Sequence, residues 1–266
     1  MHKTSKKRVI ILFFYLFLSF NFFAQYSETI RTGRPGQSIG AFTVGKNLLQ
    51  FQQGVEYNSE INSGINPKSI ITNNVIRFGI KETIEISALL DYQKNSFTIS
   101  DTVRSYSGLS NLHLGFRVHL TNQKGVLPTT GFQMRLKMPS ISKEYGNEYV
   151  APVMIFVANW SLPKNLSLGT NWILSYNGNN QIPTGKYVVN FGFPIFGKLS
   201  GFVENYGQLN KDRFETRFDG GFAYLANNNI QFDLSAGYGD NYATKDYFVS
   251  GGISWRLNFN KKNIKS

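Results

Sequence analysis

The feature that most constrains the fold is a two-residue alternation of apolar and polar side chains, which recurs along almost the whole chain. In residues 112–120 every second side chain is Leu, Phe or Val, and residues 132–138 and 230–238 repeat the pattern with other apolar types. A period of two indicates β-strands with one apolar face. We predict about twelve strands, an even number as in bacterial outer-membrane barrels, with approximate spans 47–57, 70–80, 83–92, 109–120, 129–138, 149–162, 166–176, 186–195, 199–206, 213–225, 230–239 and 246–259.

The connections and the aromatic residues favour a membrane barrel over a soluble sheet. Short connections such as 163–165 alternate with long ones such as 93–108, as in barrels with short periplasmic turns. Tyr57 lies at the long-loop end of a predicted strand, and Trp160 and Trp255 lie near short turns. Tyrosine and tryptophan are enriched at the two membrane–water interfaces, which these strand ends would occupy. A soluble sandwich or lipocalin-like barrel is the alternative, but one core would not hold a large apolar face from nearly every strand. The predicted fold is therefore an all-β antiparallel transmembrane β-barrel.

The N-terminus has the composition of a secretory signal peptide. Residues 1–8 contain four basic side chains and no acid, and residues 9–23 are almost wholly apolar. We predict that residues 1–24 are cleaved; an uncleaved anchor is the alternative, although the run is short for a span of about 20 residues. Export leaves no role for nucleic acid in explaining the net charge of +12. The predicted units are the signal peptide 1–24, an N-terminal segment 25–46, a barrel 47–259 and a polar tail 260–266.

The polar phase of the strands is rich in charge, and in a barrel this phase faces the lumen. An interior network of ion pairs and a charged constriction that selects small solutes are two compatible readings of it. The complementary phase should face lipid, and we expect this of Phe116, Phe132, Leu136, Trp172, Phe218 and Phe232. The candidate lumen-lining residues are Glu56, Arg77, Glu85, Asp91, His113, Arg117, His119, Arg135, Lys137, Glu215, Arg217, Asp219, Asp233 and Arg256.

The sequence predicts no catalytic residue, metal site or cofactor. His113 and His119 share one face of a strand and are roughly 20 Å apart at about 3.3 Å per residue, too far to bind one metal. A Ser/His pair between strands stays open, although no Gly-x-Ser-x-Gly motif is present. Cysteine is absent, which excludes disulfides and thiolate sites.

The N-terminal segment 25–46 has no clear strand pattern and carries the plug candidates Arg31, Arg34 and Pro35. Because it joins the barrel at the periplasmic end, it could fold back into the lumen and narrow it, with both arginines near inward carboxylates. A disordered leader is the alternative, since termini are usually loose unless tied down.

Several short motifs, in order along the chain, resemble one family of outer-membrane barrels. They are Thr32-Gly33-Arg34-Pro35-Gly36-Gln37, Thr43-Val44-Gly45-Lys46, Ser107-Gly108-Leu109-Ser110-Asn111-Leu112, Phe218-Asp219-Gly220-Gly221 and the run from Ile230 to Gly239. Together they resemble the family named after the MetA pathway of phenol degradation, whose members are labelled transporters. The resemblance implies an outer-membrane barrel of a Gram-negative bacterium and hints at aromatic or hydrophobic solutes.

The function expected from the sequence is therefore a channel or transporter for small solutes. An outer-membrane lipid-modifying enzyme and a non-conducting structural barrel are the alternatives. The expected partners are the solute, outer-membrane lipid and the outer-membrane assembly machinery. The last of these would read the C-terminal strand, in which Ser250, Gly252, Trp255 and Leu257 fit the assembly-signal pattern.

Overall fold

The computed structural model describes residues 28–61, 67–99, 102–139, 142–180, 182–210, 213–241 and 244–259. The predicted signal peptide and polar tail lie outside these residues. Two short 3-10 turns, Lys143–Tyr145 and Pro163–Asn165, interrupt the connections. The strands are β1 (Leu48–Ile61), β2 (Lys68–Lys81), β3 (Ile84–Ile99), β4 (Thr102–Thr121), β5 (Thr129–Lys137), β6 (Ala151–Ser161), β7 (Ser167–Ser175), β8 (Thr184–Phe196), β9 (Leu199–Asn210), β10 (Arg213–Asn227), β11 (Ile230–Asn241) and β12 (Thr244–Asn258).

The strands form one closed antiparallel barrel. Each strand pairs with its neighbours in sequence, and β12 pairs with β1 to close the sheet. The twelve strands and their antiparallel order confirm the predicted fold class. Within the described part of the chain, no helix has the length and apolar composition to cross a membrane.

The outer wall is apolar, as the alternation predicts. Trp172 and Phe218 are 57% and 62% exposed, and the cross-strand register places Phe116, Phe132, Leu136 and Phe232 on the same outer face. Large apolar side chains that stay exposed around a closed sheet indicate a surface solvated by lipid rather than by water. The wall therefore has the phase that the sequence predicts.

The connection expected at 93–108 is instead a hairpin that extends β3 and β4. The register runs from Tyr92 opposite Leu109 to Ile99 opposite Thr102. This part of the hairpin lacks the regular apolar face that marks a lipid-facing strand, since residues 93–96 are polar. A strand that projects beyond the membrane needs only its backbone ladder, so the hydrophobic pattern ends before the strand does.

Strand β6 is apolar on both faces, which the structure explains. Its outer residues face lipid, while its inner residues Ile155 and Val157 pack against Ile39 and Ala41 of the N-terminal segment. Val157 is fully buried. The inner apolar face of β6 thus packs against the N-terminal segment inside the barrel, and this contact holds the segment against the wall.

Candidate functional site

Residues 28–47, called the N-terminal segment from here on, run around the inner wall of the barrel. Most of their contacts follow the order of the strands around the barrel, while Arg31 and Gly33 contact β1 and β2, and these contacts place the segment inside the lumen. In order, Glu28 O accepts from Arg256 of β12, Arg34 bonds to Asp233 of β11, Gln37 N donates to Glu204 of β9, Ile39 N to Asn171 of β7, Ala41 N to Asn159 of β6 and Val44 N to Glu85 of β3, and Asn47 N donates to Gly79 O of β2.

One part of the segment, residues 32–34, is held by the charge of Arg34, and we call it the charged end. Arg34 Nη2 lies 3.0 Å from Asp233 Oδ1 and also donates to Ser250 Oγ at 3.0 Å. Its guanidinium lies against the backbone of the paired residues Gly54 and Gly252, where an added Cβ at Gly54 would come within 2.2 Å of Arg34 Cζ. The two inner-wall glycines therefore form the slot that admits the arginine.

Arg31 behaves differently from the expectation that it would approach a carboxylate. Its guanidinium carbon lies 3.7 Å from the centre of the Phe42 ring, a cation–π contact. Its carbonyl oxygen accepts hydrogen bonds from Gln50 Nε2 at 3.1 Å and Arg77 Nη1 at 2.9 Å. The main chain of Arg31, rather than its charge, is thus fixed to the wall.

The middle of the segment is fixed by one carboxylate. Glu204 accepts hydrogen bonds from the amides of Gln37 and Ser38, at 2.6 and 3.0 Å, and from Asn190 Nδ2 at 2.7 Å. Gly36, with φ of 86°, precedes these amides, and a Cβ there would come within 2.7 Å of Glu204 Oε2. The left-handed glycine turns two successive amides towards the carboxylate.

Residues 39–41 form the opposite part of the segment, which we call the apolar end. Ile39 and Ala41 pack on Ile155 and Val157. Ile39 also exchanges two hydrogen bonds with the side chain of Asn171, from its N at 2.8 Å and to its O at 3.0 Å. Packing and reciprocal amide pairing, without any charge, hold this end.

Three arginines form a cluster on the wall beside the segment. Arg77 makes two hydrogen bonds to Glu85, both 2.8 Å long. Arg117 donates to Phe42 O and to Gln133 Oε1, each at 3.0 Å, and Arg135 Nη2 donates to the same Gln133 oxygen at 3.3 Å. One carboxylate, one side-chain amide oxygen and the backbone carbonyls of Arg31 and Phe42 therefore serve three guanidinium groups.

The register places the remaining candidate residues on the inner face as well. Arg217 pairs with Asp246, Nη2 to Oδ2 at 2.6 Å. Glu215 accepts from Gln208 at 2.6 Å. Both carboxylate oxygens of Asp219 are buried with no hydrogen-bond partner among the described residues. The other contacts are Glu56 with Asn58, Asp91 with Asn73 and Asn111, and Arg256 with Asn229.

The inward histidines do not meet. His119 lies between Ala41 O and Asn122 Oδ1, at 3.2 and 3.0 Å, and its ring stacks on Phe42. His113 Nδ1 is buried without a partner among the described residues, on the register row of Lys137. Neither histidine hydrogen-bonds to a serine in the described structure, and no group of three His, Cys, Asp or Glu suited to a metal occurs there.

Several residues that fix the segment were not candidates from the sequence. They are the neutral residues Gln52, Asn159 and Asn171 and the acidic Glu204. Their only signal is that each falls in the inward phase of its strand. A polar amide in that phase is compatible with simple hydration, so periodicity gives the face but not the partner.

Three cavities lie along the described part of the lumen. An outer cavity of about 660 Å³ lies on the long-loop side. A central cavity of about 220 Å³ shares Gln37 and Glu56 with it. An inner cavity of about 450 Å³ lies near the short turns and has no lining residue in common with the central one. Gly33, Gly36 and Gln37 line the central cavity, whereas Thr32, Pro35, Ser38 and Gly40 line the inner cavity, so the segment separates the two.

The amino-acid sequence from the N-terminal segment to β12 matches the model of one protein family. Residues 32–257 match the family described as "Putative MetA-pathway of phenol degradation". The chain belongs to this family. The matched range includes both the segment from Thr32 onward and nearly all of the barrel, which confirms the resemblance seen in the motifs. No curated protein matches the chain at a significant level.

Solved structures share the fold at very low sequence identity. An outer membrane channel from Pseudomonas putida F1 has a TM-score of 0.67 at 8% identity, covering 84% of this chain and 99% of that one. The β-domain of the Bordetella autotransporter Brka has a TM-score of 0.51 at 10% identity, covering 79% and 99%. The NanC porin has a TM-score of 0.50 at 11% identity, covering 77% and 100%. With its apolar wall, this family member is a protein of the Gram-negative outer membrane.

Proposed function

We propose that the protein is an outer-membrane channel for small solutes, in which the N-terminal segment acts as an internal plug that sets the width of the path. The observation that carries the proposal is the division of a polar lumen by residues 32–40, with a cavity on either side. A barrel that only anchored or stiffened the membrane would have no need of two cavities with a thin, hydrogen-bonded partition between them.

The partition has the properties expected of a gate rather than of a core. It consists of residues 32–40, four of which are Gly33, Gly36, Gly40 and Pro35, and few large side chains fill the space. Its attachments are discrete: Arg34 to Asp233, the Gln37 and Ser38 amides to Glu204, and Ile39 to Asn171. Such a chain can leave the wall by breaking a few contacts, without loss of the barrel's own ladder.

The family's association with phenol degradation favours aromatic or hydrophobic solutes. Lipid around the apolar wall, and assembly machinery that reads β12, are the further partners that we propose. An enzyme is the alternative from another class, but the partners of His119 are a carbonyl and an asparagine. A non-conducting barrel is the other alternative, and conductance distinguishes it.

The first test is a deletion of residues 28–44, which removes the partition and keeps β1. We expect the deleted protein to show a severalfold higher single-channel conductance in a planar bilayer than the intact protein. Heat-modifiable migration in gel electrophoresis shows that the barrel has folded. An unchanged conductance in a folded deletion would reject the plug, and the absence of current from both proteins would reject the channel.

Point variants give the matched control. Arg34→Gln removes the ion pair with Asp233 that attaches the partition to β11, whereas Arg104→Gln lies on the exposed part of β4. We expect Arg34→Gln to open to the high-conductance level more often than the unmodified protein, and Arg104→Gln to open as the unmodified protein does. Equal opening of the two variants would show that this attachment does not hold the plug closed.

A further inference from the structure

The central cavity has an unequal distribution of charge. Its wall carries the guanidinium groups of Arg34, Arg77, Arg117 and Arg135, whereas Glu56 is the one carboxylate among its lining residues. Aliphatic side chains complete the lining, namely Ile39, Val75 and Leu89. A space with cationic donors on one part and aliphatic surface on another suits a molecule that has an anionic head and a short apolar body.

The arginine cluster has more donors than acceptors. Glu85 lies behind the cluster, outside the cavity lining, and is already bound by Arg77, with Arg117 Nε at 3.6 Å from its Oε1. Arg117 is only 4% exposed, and its Nε has no hydrogen-bond acceptor among the described residues. Arg135 makes no ion pair within the described structure and has one hydrogen bond, to Gln133. Buried guanidinium groups in this state favour an incoming carboxylate.

We infer that the central cavity is a binding site for a small organic anion, a carboxylate on a single ring or a similarly short apolar body. The carboxylate lies against Arg117 and Arg135, and the apolar body lies against Val75 and Leu89. The inference deepens the proposed channel function, because it gives the solute class that pauses next to the plug.

Size and local charge agree with this class. A cavity of about 150 Å³ holds benzene, so the 220 Å³ of the central cavity accommodates one ring with a carboxylate. Arg34 is already paired with Asp233, and Arg77 with Glu85. Glu56 lies on β1, and the register separates it from β4 and β5, which carry Arg117 and Arg135. The proposed anion position is therefore the one beside Arg117 and Arg135.

The test measures binding of benzoate to the full-length mature protein in nanodiscs by isothermal titration calorimetry. Benzamide, which has nearly the same shape and no charge, is the matched probe. We expect benzoate to bind and benzamide to bind at least about tenfold more weakly, because charge-assisted hydrogen bonds to arginine are lost. Equal binding of the two probes, or no binding of benzoate at millimolar concentration, would overturn the inference.

Two variants locate the site, and a third is the control. Arg135→Gln removes the least-bonded cation and should weaken benzoate binding by about tenfold or more. Leu89→Trp fills the apolar side without changing charge and should abolish binding. Arg104→Gln, on the exposed part of β4, is the control and should bind as the unmodified protein does. Binding that persists in both Arg135→Gln and Leu89→Trp would place benzoate elsewhere and overturn the inference.

Conductance separates this inference from the channel proposal. A protein that conducts but does not bind benzoate retains the channel and rejects the anion site. A protein that binds benzoate through Arg135 but never conducts retains the anion site and rejects the channel.

Discussion

The two ends of the N-terminal segment hold the same wall by different physical means. At the charged end, Arg34 is tied to Asp233 and Ser250 and sits in a slot between two glycines. At the apolar end, Ile39 and Ala41 are packed on β6. Coulombic attachments respond to ions and to charged solutes, whereas apolar packing does not. The difference indicates that the charged end is the part that a competing charged group can release, while the apolar end stays as the hinge.

The largest effect is expected from a charge placed in the apolar end. Val157→Asp would bury an unpaired carboxylate where the exposure is 0%. We expect a loss of more than about 3 kcal/mol in the free energy of opening of the segment, measured by hydrogen exchange of peptides that cover residues 36–45. The similarly shaped Val157→Thr should cost about 1 kcal/mol. Full protection in Val157→Asp would show that β6 does not hold the segment.

The charged end should give the next largest effect. Arg34→Gln removes the ion pair and leaves the Asp233 carboxylate, whose side chain is 0% exposed, without its cation. We expect a loss of about 2–3 kcal/mol in the same exchange measurement. The double variant with Asp233→Asn should lose less than the sum of the two single variants. Additive losses would mean that the pair does not couple the segment to β11.

A smaller effect is expected when the slot is narrowed and the charge is kept. Gly54→Ala places a Cβ 2.2 Å from Arg34 Cζ, so the flexible arginine must shift. We expect a cost of about 1–2 kcal/mol at the charged end. Gly251→Ala is the matched control, because its Cβ would meet no atom closer than 3.7 Å. Similar costs for the two substitutions would assign the effect to backbone entropy instead of to the slot.

The smallest expected effect is that of salt. Raising the ionic strength to 1 M shortens the Debye length to about 3 Å, but the Arg34–Asp233 pair is largely buried. We therefore expect the charged end to lose less than about 1 kcal/mol of opening free energy. The Arg34→Gln variant should show no salt response in the same exchange measurement. Equal salt responses in the two proteins would remove the electrostatic distinction between the ends.

The barrel was predictable because its environment repeats along each strand. Apart from β6, one face of each strand meets lipid and the other meets a polar lumen. The alternation alone therefore predicts that Phe116 faces outward and Arg117 inward. The hairpin formed by β3 and β4 beyond the membrane escaped prediction for the same reason, since water on both faces leaves no phase to read.

The partition inside the lumen could be predicted only in outline. Arg34 could be expected to meet an inward carboxylate, because an unpaired charge there would be costly. Its partner Asp233 is 199 residues away, and no local pattern encodes that distance. The sequence of β6 shows apolar residues on both faces. The inner apolar face is explained only by the structure, in which Ile39 and Ala41 pack against it.

The position of Arg34 also affects the joint at which the barrel closes. Gly54 of β1 faces Gly252 of β12 across that joint, and the arginine lies on both while it binds Asp233 of the adjacent strand. Closing the first strand on the last brings together the two ends of a sequence of about 200 residues, so this pairing has the largest loop-closure entropy of the strand pairings in the barrel. Arg34 bridges the pairing of β1 with β12, so the segment that narrows the lumen also stabilises the closed barrel.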